Sequence, residues 1–257
     1  MKIEHVFGIS FSPCGATQTV VNTVAKAMDE NAVCTNAITN IVPAAFTAQD
    51  AVVVGIPVFG GRVPAPALER ISHLQGGGAA AVAVAVYGKR ACEDALLELK
   101  TALEAQGFAV VAAGVFVAQH SIATSIAAGR PNAQDLQTAA QLGRQTVDKL
   151  SAVQSGAQCT LATVPGNYPY GEYHIIPVPI LASRRCNACG VCAAACPVQA
   201  ISANTPRRTD GTRCIGCMHC LSVCPQHARS IPPLMKLAIT HKLNKLCKGE
   251  KQAELYL

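Results

Sequence analysis

Tryptophan is absent from this 257-residue sequence, and six Phe and five Tyr make up the rest of its aromatic complement. The basic residues are not interleaved with those few rings, so no stacking platform for a nucleic acid strand is expected and nucleic acid is excluded as a partner. Also missing is any apolar run long enough to span a bilayer. The longest, Ala79–Val86, is bounded by Gly76-Gly77-Gly78 and by Gly88, whereas a spanning helix takes roughly 20 residues. That run reads as a buried strand, and no membrane span is expected. Residues 1–10 lack the basic start, long apolar stretch and small-residue cleavage site of a secretory signal, which makes the cytoplasm the expected location.

Cysteine, by contrast, is abundant, with thirteen residues. Disulfides do not persist in a reducing compartment, so the thiols are expected to hold metal. Eight of them lie in an internal repeat, Cys186-Asn-Ala-Cys189-Gly-Val-Cys192-Ala-Ala-Ala-Cys196-Pro197 and Cys214-Ile-Gly-Cys217-Met-His-Cys220-Leu-Ser-Val-Cys224-Pro225. Each copy has the C-x2-C-x2-C-x3-C-P spacing in which three thiolates wrap one four-iron cubane and the fourth turns toward the other. One [4Fe-4S] cluster is therefore expected on Cys186, Cys189, Cys192 and Cys224, and a second on Cys214, Cys217, Cys220 and Cys196. Pro197 and Pro225 restrict the backbone after the fourth ligands, while Gly190 and Gly216 admit backbone amides close to the sulfides. Zinc is the competing occupant, since C-x2-C pairs also make tetrahedral sites, but zinc has no need of a third cysteine and a fourth before proline, twice over. From Cys186 to Pro225 the chain resembles the bacterial two-cluster ferredoxins. The remaining cysteines, Cys14, Cys34, Cys92, Cys159 and Cys247, have no metal spacing and read as small buried hydrophobes.

Charge follows the same division. Residues 1–180 carry 10 Lys and Arg against 12 Asp and Glu, and residues 181–257 carry 11 against 3. Two oxidised clusters, each bringing roughly −2 with its thiolates, would offset about half of the second excess.

The first 150 residues alternate between strand and helix patterns. Strands are expected at Ile3–Ser10, Ala32–Ile38, Ala51–Val58, Ala80–Tyr87 and Phe108–Val117, with helices at Thr17–Met28, Pro66–Leu74, Glu93–Gln106 and Asn132–Leu150. The near-continuous apolar strands are those of a sheet covered on both faces. The expected fold is α/β, a doubly wound parallel five-stranded sheet in the order 2-1-3-4-5, followed by a small α+β ferredoxin domain. The expected divisions are 1–150 for the sheet domain, 151–183 for a linker rich in Gly, Pro and Tyr, 184–232 for the cluster domain, and 233–257 for a basic helical tail that packs over one of the domains.

Between the first strand and helix stands Ser12-Pro13-Cys14-Gly15-Ala16-Thr17. A loop of this kind presents unpaired amides at a helix N-terminus, a natural phosphate seat; a purely structural helix cap is the alternative. The loop resembles the flavodoxin phosphate loop at Ser12, Gly15 and Thr17, with Cys14 in the place of a threonine. Two further strand ends, Pro57-Val58-Phe59-Gly60-Gly61-Arg62 and Tyr87-Gly88, fall where flavodoxins hold the isoalloxazine ring, which implies Phe59 and Tyr87 as stacking groups and Gly60 and Gly61 as backbone partners of the flavin. Over its whole length the chain resembles the fusions of anaerobes in which a flavodoxin-like domain precedes a two-cluster ferredoxin domain.

The resemblance implies two [4Fe-4S] clusters and FMN as cofactors, and an electron relay serving a redox partner protein or a small-molecule electron acceptor; a homodimer is compatible with the sequence. Two other functions stay open. One is a flavin-dependent reductase with its own small substrate, for which His120, Ser121 and Ser125 are the candidate lining. The other is a noncatalytic sensor or docking module whose sheet domain is empty.

Overall fold

The computed structural model describes residues 1–38, 44–173 and 177–257. In chain order the elements are β1 (His5–Ser10), α1 (Ala16–Met28), β2 (Val33–Asn36), β3 (Ala44–Ala45), β4 (Asp50–Pro57), α2 (Ala65–Ile71), β5 (Leu74–Gln75), β6 (Ala80–Tyr87), α3 (Ala95–Ala105), β7 (Ala109–Val117), α4 (Ala133–Ser151), a 3-10 turn (Gly156–Cys159), β8 (Leu181–Ala182), α5 (Val191–Ala194), α6 (His219–Ser222), β9 (Arg229–Ser230), α7 (Pro233–Leu246) and β10 (Glu254–Tyr256).

Val- and Ala-rich runs become strands because branched or small side chains pack well on a pleat, and here both faces are covered. Along β4 and β6 the side chains alternate between two cores: Val52, Val54, Ile56, Ala81, Ala83 and Ala85 join one with α3, and Ala51, Val53, Val82, Val84 and Val86 join the other with α1 and α4. The strand order is β10-β7-β6-β4-β1-β2. The five strands from β2 to β7 are parallel, and their order is the expected 2-1-3-4-5. In such a sheet the crevice beyond the strands' carboxyl ends is the place for a ligand.

Helix ends are set locally. Asn132 caps α4 in a reciprocal box with Asp135, and Asp135 is also paired with Arg130. No side chain of Gly15, the residue capping α1, can do the same.

Two parts of the chain do more than the sequence suggests. The stretch after α4 folds back on the sheet domain: the Leu161 N–H donates to Val110 O at 2.8 Å, and residues 167 and 171 bond to Asp94. His174, in the same stretch, lies outside the described residues. The basic tail is helical only over α7; its last residues form β10, a sixth strand antiparallel to β7 with Leu255 opposite Gly114. The Glu254-Leu-Tyr256 segment carries too short an alternation to stand out as a strand, yet it covers an otherwise open sheet edge.

In the cluster segment the sequence repeat is also a backbone repeat. Positive φ occurs at Ala188 and Gly216, at Gly190 and Met218, and at Gln199 and His227, and α5 and α6 start at equivalent positions. The short antiparallel pair β8–β9 closes the segment on itself.

Candidate functional site

The loop from Ser12 to Thr17 is braced from behind. Asn36 Oδ1 accepts from the Ser12 N–H at 3.0 Å and its Nδ2 donates to Ser12 O at 3.0 Å, while the buried Ser12 hydroxyl accepts from the Gln18 N–H at 3.0 Å. Ser12 thus satisfies one amide of the first helical turn. The N–H groups of Cys14, Gly15, Ala16 and Thr17 have no partner among the described residues, and they stand at the positive end of the α1 dipole. Gly15 at φ 89° gives the chain the reversal that aims these amides outward, with nothing within 4 Å of where a Cβ would stand.

In front of the loop opens a cavity of about 780 Å³, within the range of roughly 300–1,000 Å³ usual for cofactor sites. Every flavin-site residue expected from the sequence lines it except Gly15: Ser12, Pro13, Cys14, Ala16, Thr17, Pro57, Val58, Phe59, Gly60, Gly61, Tyr87 and Gly88. Gly60 and Gly61, at φ 57° and 81°, form a tight hairpin turn closed by paired bonds between Phe59 and Arg62. The Gly61 carbonyl is taken by the Asp94 N–H, which leaves both Gly60 groups and the Gly61 N–H for a ligand. Phe59 is partly exposed, whereas Tyr87 is 6% exposed and part of the core; the two aromatics are not equivalent.

His120 and Ser121 line the cavity, and Ser125 does not. His120 Nδ1 accepts from the Ile122 and Ala123 N–H groups, both at 3.2 Å, which keeps the ring proton on Nε2. Burial first, and the neighbouring Arg90 charge second, hold its pKa below the ordinary imidazole value. The ring lies against Gly88, where a Cβ would come within 2.7 Å of it.

Three groups of lining residues were not foreseen. Asn167 and Gly171 are held by Asp94, Ile239, Leu243 and Leu246 of α7 cover one side, and Ile215, Gly216 and Cys217 come from the second cysteine motif. None lies near the flavin loops in sequence. The two domains also touch directly: Cys14 Sγ donates to Cys217 O at 3.4 Å, His219 Nδ1 and the Ser222 hydroxyl bond Pro13 O, and Arg70 Nη2 reaches Pro197 O at 3.5 Å. Cys14 faces the cavity, yet protein on its other sides pushes its thiol above the ordinary value.

Cys186, Cys189, Cys192 and Cys224 line a second, smaller cavity together with Pro206 and Arg229. Three thiols of one motif and the last thiol of the other therefore meet. Arg229 is 5% exposed; its Nη groups bond Thr209 Oγ1 and Pro206 O, and its Nε is buried without a partner among the described residues. A buried cation with an unpaired donor fits an anionic cluster held by four thiolates. Backbone amides reach the fourth thiols in both motifs, Ala200 N to Cys196 Sγ at 3.2 Å and Ala228 N to Cys224 Sγ at 3.3 Å. Burial would raise the Cys224 thiol, but the Ala228, Gln226 and Arg229 amides and the Arg229 charge outweigh it and lower the pKa. Cys217 and Cys220 are instead pushed up to about 12, chiefly by burial. Among the described residues no group of three or more His, Cys, Asp or Glu is drawn together tightly enough for a lone metal ion.

Residues 177–229 match the 4Fe-4S dicluster domain family. The match covers the cysteine repeat and about a fifth of the chain. Comparison with curated proteins gives no match. Among solved structures, a flavodoxin from the domain Archaea is 14% identical with a TM-score of 0.39, the match covering 58% of this chain and 99% of that one. A flavodiiron core from Synechocystis (16% identity, TM-score 0.41) and a rubredoxin:oxygen oxidoreductase from the anaerobe Desulfovibrio gigas (13%, 0.40) match over 59% of this chain and 37% of their own. Likeness at this level lends nothing about activity; the strand order carries the fold by itself. The chain joins a flavodoxin-like sheet domain to a ferredoxin-type iron–sulfur domain, a pairing that supports electron transfer in general. No helix among the described residues is long and apolar enough to cross a membrane.

Proposed function

We propose that the chain relays single electrons between two [4Fe-4S] clusters and an FMN seated in the large cavity, serving a separate redox partner. The observation that carries this reading is the shared wall: the cavity bounded by the three flavin loops is bounded as well by Ile215, Gly216 and Cys217. When bound, the clusters supply one-electron exchange and the flavin a store for one or two electrons.

The chain's own residues divide the work. The free amides of residues 14–17 and the Thr17 hydroxyl hold the phosphate. Phe59 stacks on the ring system, Gly60 offers its N–H and carbonyl, and neutral His120 presents Nε2–H as a donor. Ile239 and Leu243, both half-buried, give that side an apolar wall. The thiolate sets are Cys186, Cys189, Cys192 and Cys224 for the first cluster, and Cys214, Cys217, Cys220 and Cys196 for the second, whose loop touches Pro13 and Cys14. Holding both domains on one chain makes the exchange between them effectively unimolecular.

The test is anaerobic purification with iron, sulfide and flavin quantified per chain. About eight irons, eight sulfides and one FMN are expected; zinc in place of iron, or flavin lost on gel filtration, removes the relay. A second reading, a flavin-dependent reductase with its own substrate, is favoured by the extension of the cavity past the flavin loops to Ser121, Ile122 and Lys242. Turnover of a small acceptor with a reduced dye as sole donor supports that reading, and dependence on a second protein opposes it.

A further inference from the structure

Between Leu181 and Pro232 the sole acidic residue is Asp210, and its carboxylate is already occupied by the N–H and hydroxyl of Thr212. Five arginines of this segment are exposed; one, Arg213, directly precedes the second motif, and the other four are Arg184, Arg185, Arg207 and Arg208. They come as two pairs, one immediately before Cys186 and one immediately after Pro206, and Cys186 and Pro206 both line the cavity of the first thiolate set. Ser183 ties the pairs together, its carbonyl accepting from the Cys186 N–H at 3.1 Å and from Arg207 Nη2 at 3.0 Å. Among the described residues none of the four has a carboxylate partner.

Offsetting cluster charge does not account for this rim. Buried Arg229 faces the same thiols, where a cation acts at full strength, whereas exposed guanidinium groups are screened by water and salt. Exposed like charges gathered round one cofactor act outward instead, on the encounter with a partner. The second motif has one exposed arginine before it, Arg213, in place of two pairs, and its loop is turned against Pro13 and Cys14.

We propose that the arginine rim docks an acidic one-electron carrier protein, so that electrons pass between solution and the chain through the cluster on Cys186, Cys189, Cys192 and Cys224, with the other cluster next to the flavin. This inference rests on the relay reading. Each docking event moves one electron between the partner's centre and the first cluster, one being oxidised as the other is reduced, and no bond is made or broken.

The experiment uses the anaerobically purified holo-protein and, as probe, a reduced acidic two-cluster ferredoxin in a stopped-flow at several salt concentrations; a zwitterionic viologen serves as an uncharged donor. Arg184→Glu with Arg185→Glu is expected to lower the second-order rate constant with the ferredoxin by about ten-fold or more at low salt and to flatten its salt dependence. Lys245→Glu with Lys248→Glu, the same charge change on the tail, is expected to alter it by less than about two-fold. Iron content and the viologen rate stay at wild-type values in both. If charge reversal lowers the iron content, Arg185→Gln with Arg208→Gln leaves Arg207 in place and is expected to slow the ferredoxin reaction alone. Equal slowing by the tail variant, or an unchanged ferredoxin rate in the arginine variants, overturns the docking rim. Clusters that accept electrons while the flavin never does would sink the relay instead, and the salt-dependent difference between variants would still report the rim.

Discussion

Asp94 closes the wall of the large cavity, and removing its carboxylate is a direct test of how that wall is held. Oδ1 accepts from the Asn167 N–H at 2.8 Å and from Asn167 Nδ2 at 3.1 Å, and Oδ2 accepts from the Gly171 N–H at 2.8 Å. Arg62 provides a second tie, donating to Gly171 O at 2.5 Å with its guanidinium 4.7 Å from the centre of the Tyr170 ring. Hydrogen bonds to a charged acceptor contribute roughly 1.5–3 kcal/mol each. Two of the three share Asn167 and Arg62 remains in place, so Asp94→Ala is expected to weaken the closed loop by about 3 kcal/mol, or about 100-fold in its opening equilibrium. Asp94→Asn keeps one acceptor oxygen and is expected to lose about half as much. The assay is hydrogen exchange at the Asn167 and Gly171 amides. The Gly171 N–H lowers the Asp94 pKa; burial opposes this, but the Asn167 bonds add to the lowering and the net direction is down. A depressed carboxylate contributes its stabilisation fully above the ordinary range, about pH 4, and loses it only as pH falls through the lower folded value. Protection corrected for intrinsic exchange should therefore be flat from pH 5 to 8 in wild type (roughly the range in which a carboxylate stays ionised). Wild-type protection in Asp94→Ala refutes this account of the loop.

The proposed crossing of the thiolate sets predicts matched lesions: Cys186→Ser and Cys224→Ser should leave the same residual cluster spectrum and about four irons per chain, and Cys214→Ser and Cys196→Ser should share the opposite one. Pairing by motif instead, Cys196 with Cys186, counts against the crossover. Deleting residues 250–257 strips β10 from β7 and should lower the stability of the sheet domain by about 1–3 kcal/mol, read from the denaturant midpoint; an unchanged midpoint would make the sixth strand an ornament of the fold. Phe59→Ala should weaken flavin binding by about ten-fold, as expected for loss of one stacking ring, while Tyr87→Phe, at a position already in the core, should change it little. Fluorescence titration of the apo-protein measures both.

The sheet domain was legible because its strands are long, apolar and punctuated by glycine, and because a parallel sheet needs a helix between successive strands. The cysteine repeat was legible for a different reason: cluster ligation fixes residue type and spacing together. What stayed hidden depends on contacts between distant segments. Glu254-Leu-Tyr256 becomes a strand only because the edge of β7 is free to receive it, and Asp94 gains its role only when residue 167 returns to it across the fold. The aromatics at Phe59 and Tyr87 look alike in sequence, and burial alone separates them.

Position 14 shows how the same gap affects function. Against the flavodoxin loop, Cys14 reads as the loss of a phosphate-binding hydroxyl. In the folded chain its thiol bonds the carbonyl of Cys217, a residue of the second cysteine motif, and the adjacent Pro13 carbonyl is bonded from His219 and Ser222 of the same motif. The N–H groups of residues 14–17 have no partner among the described residues, while the Pro13 carbonyl and the Cys14 thiol at the cavity wall bond the other domain. A freely diffusing flavodoxin would have no fixed neighbour to bond at that position, and its loop could give every polar group to the phosphate. Here one side chain of the loop serves the seam between domains, and the backbone N–H groups of residues 14–17, unpartnered among the described residues, are left for the anion proposed above.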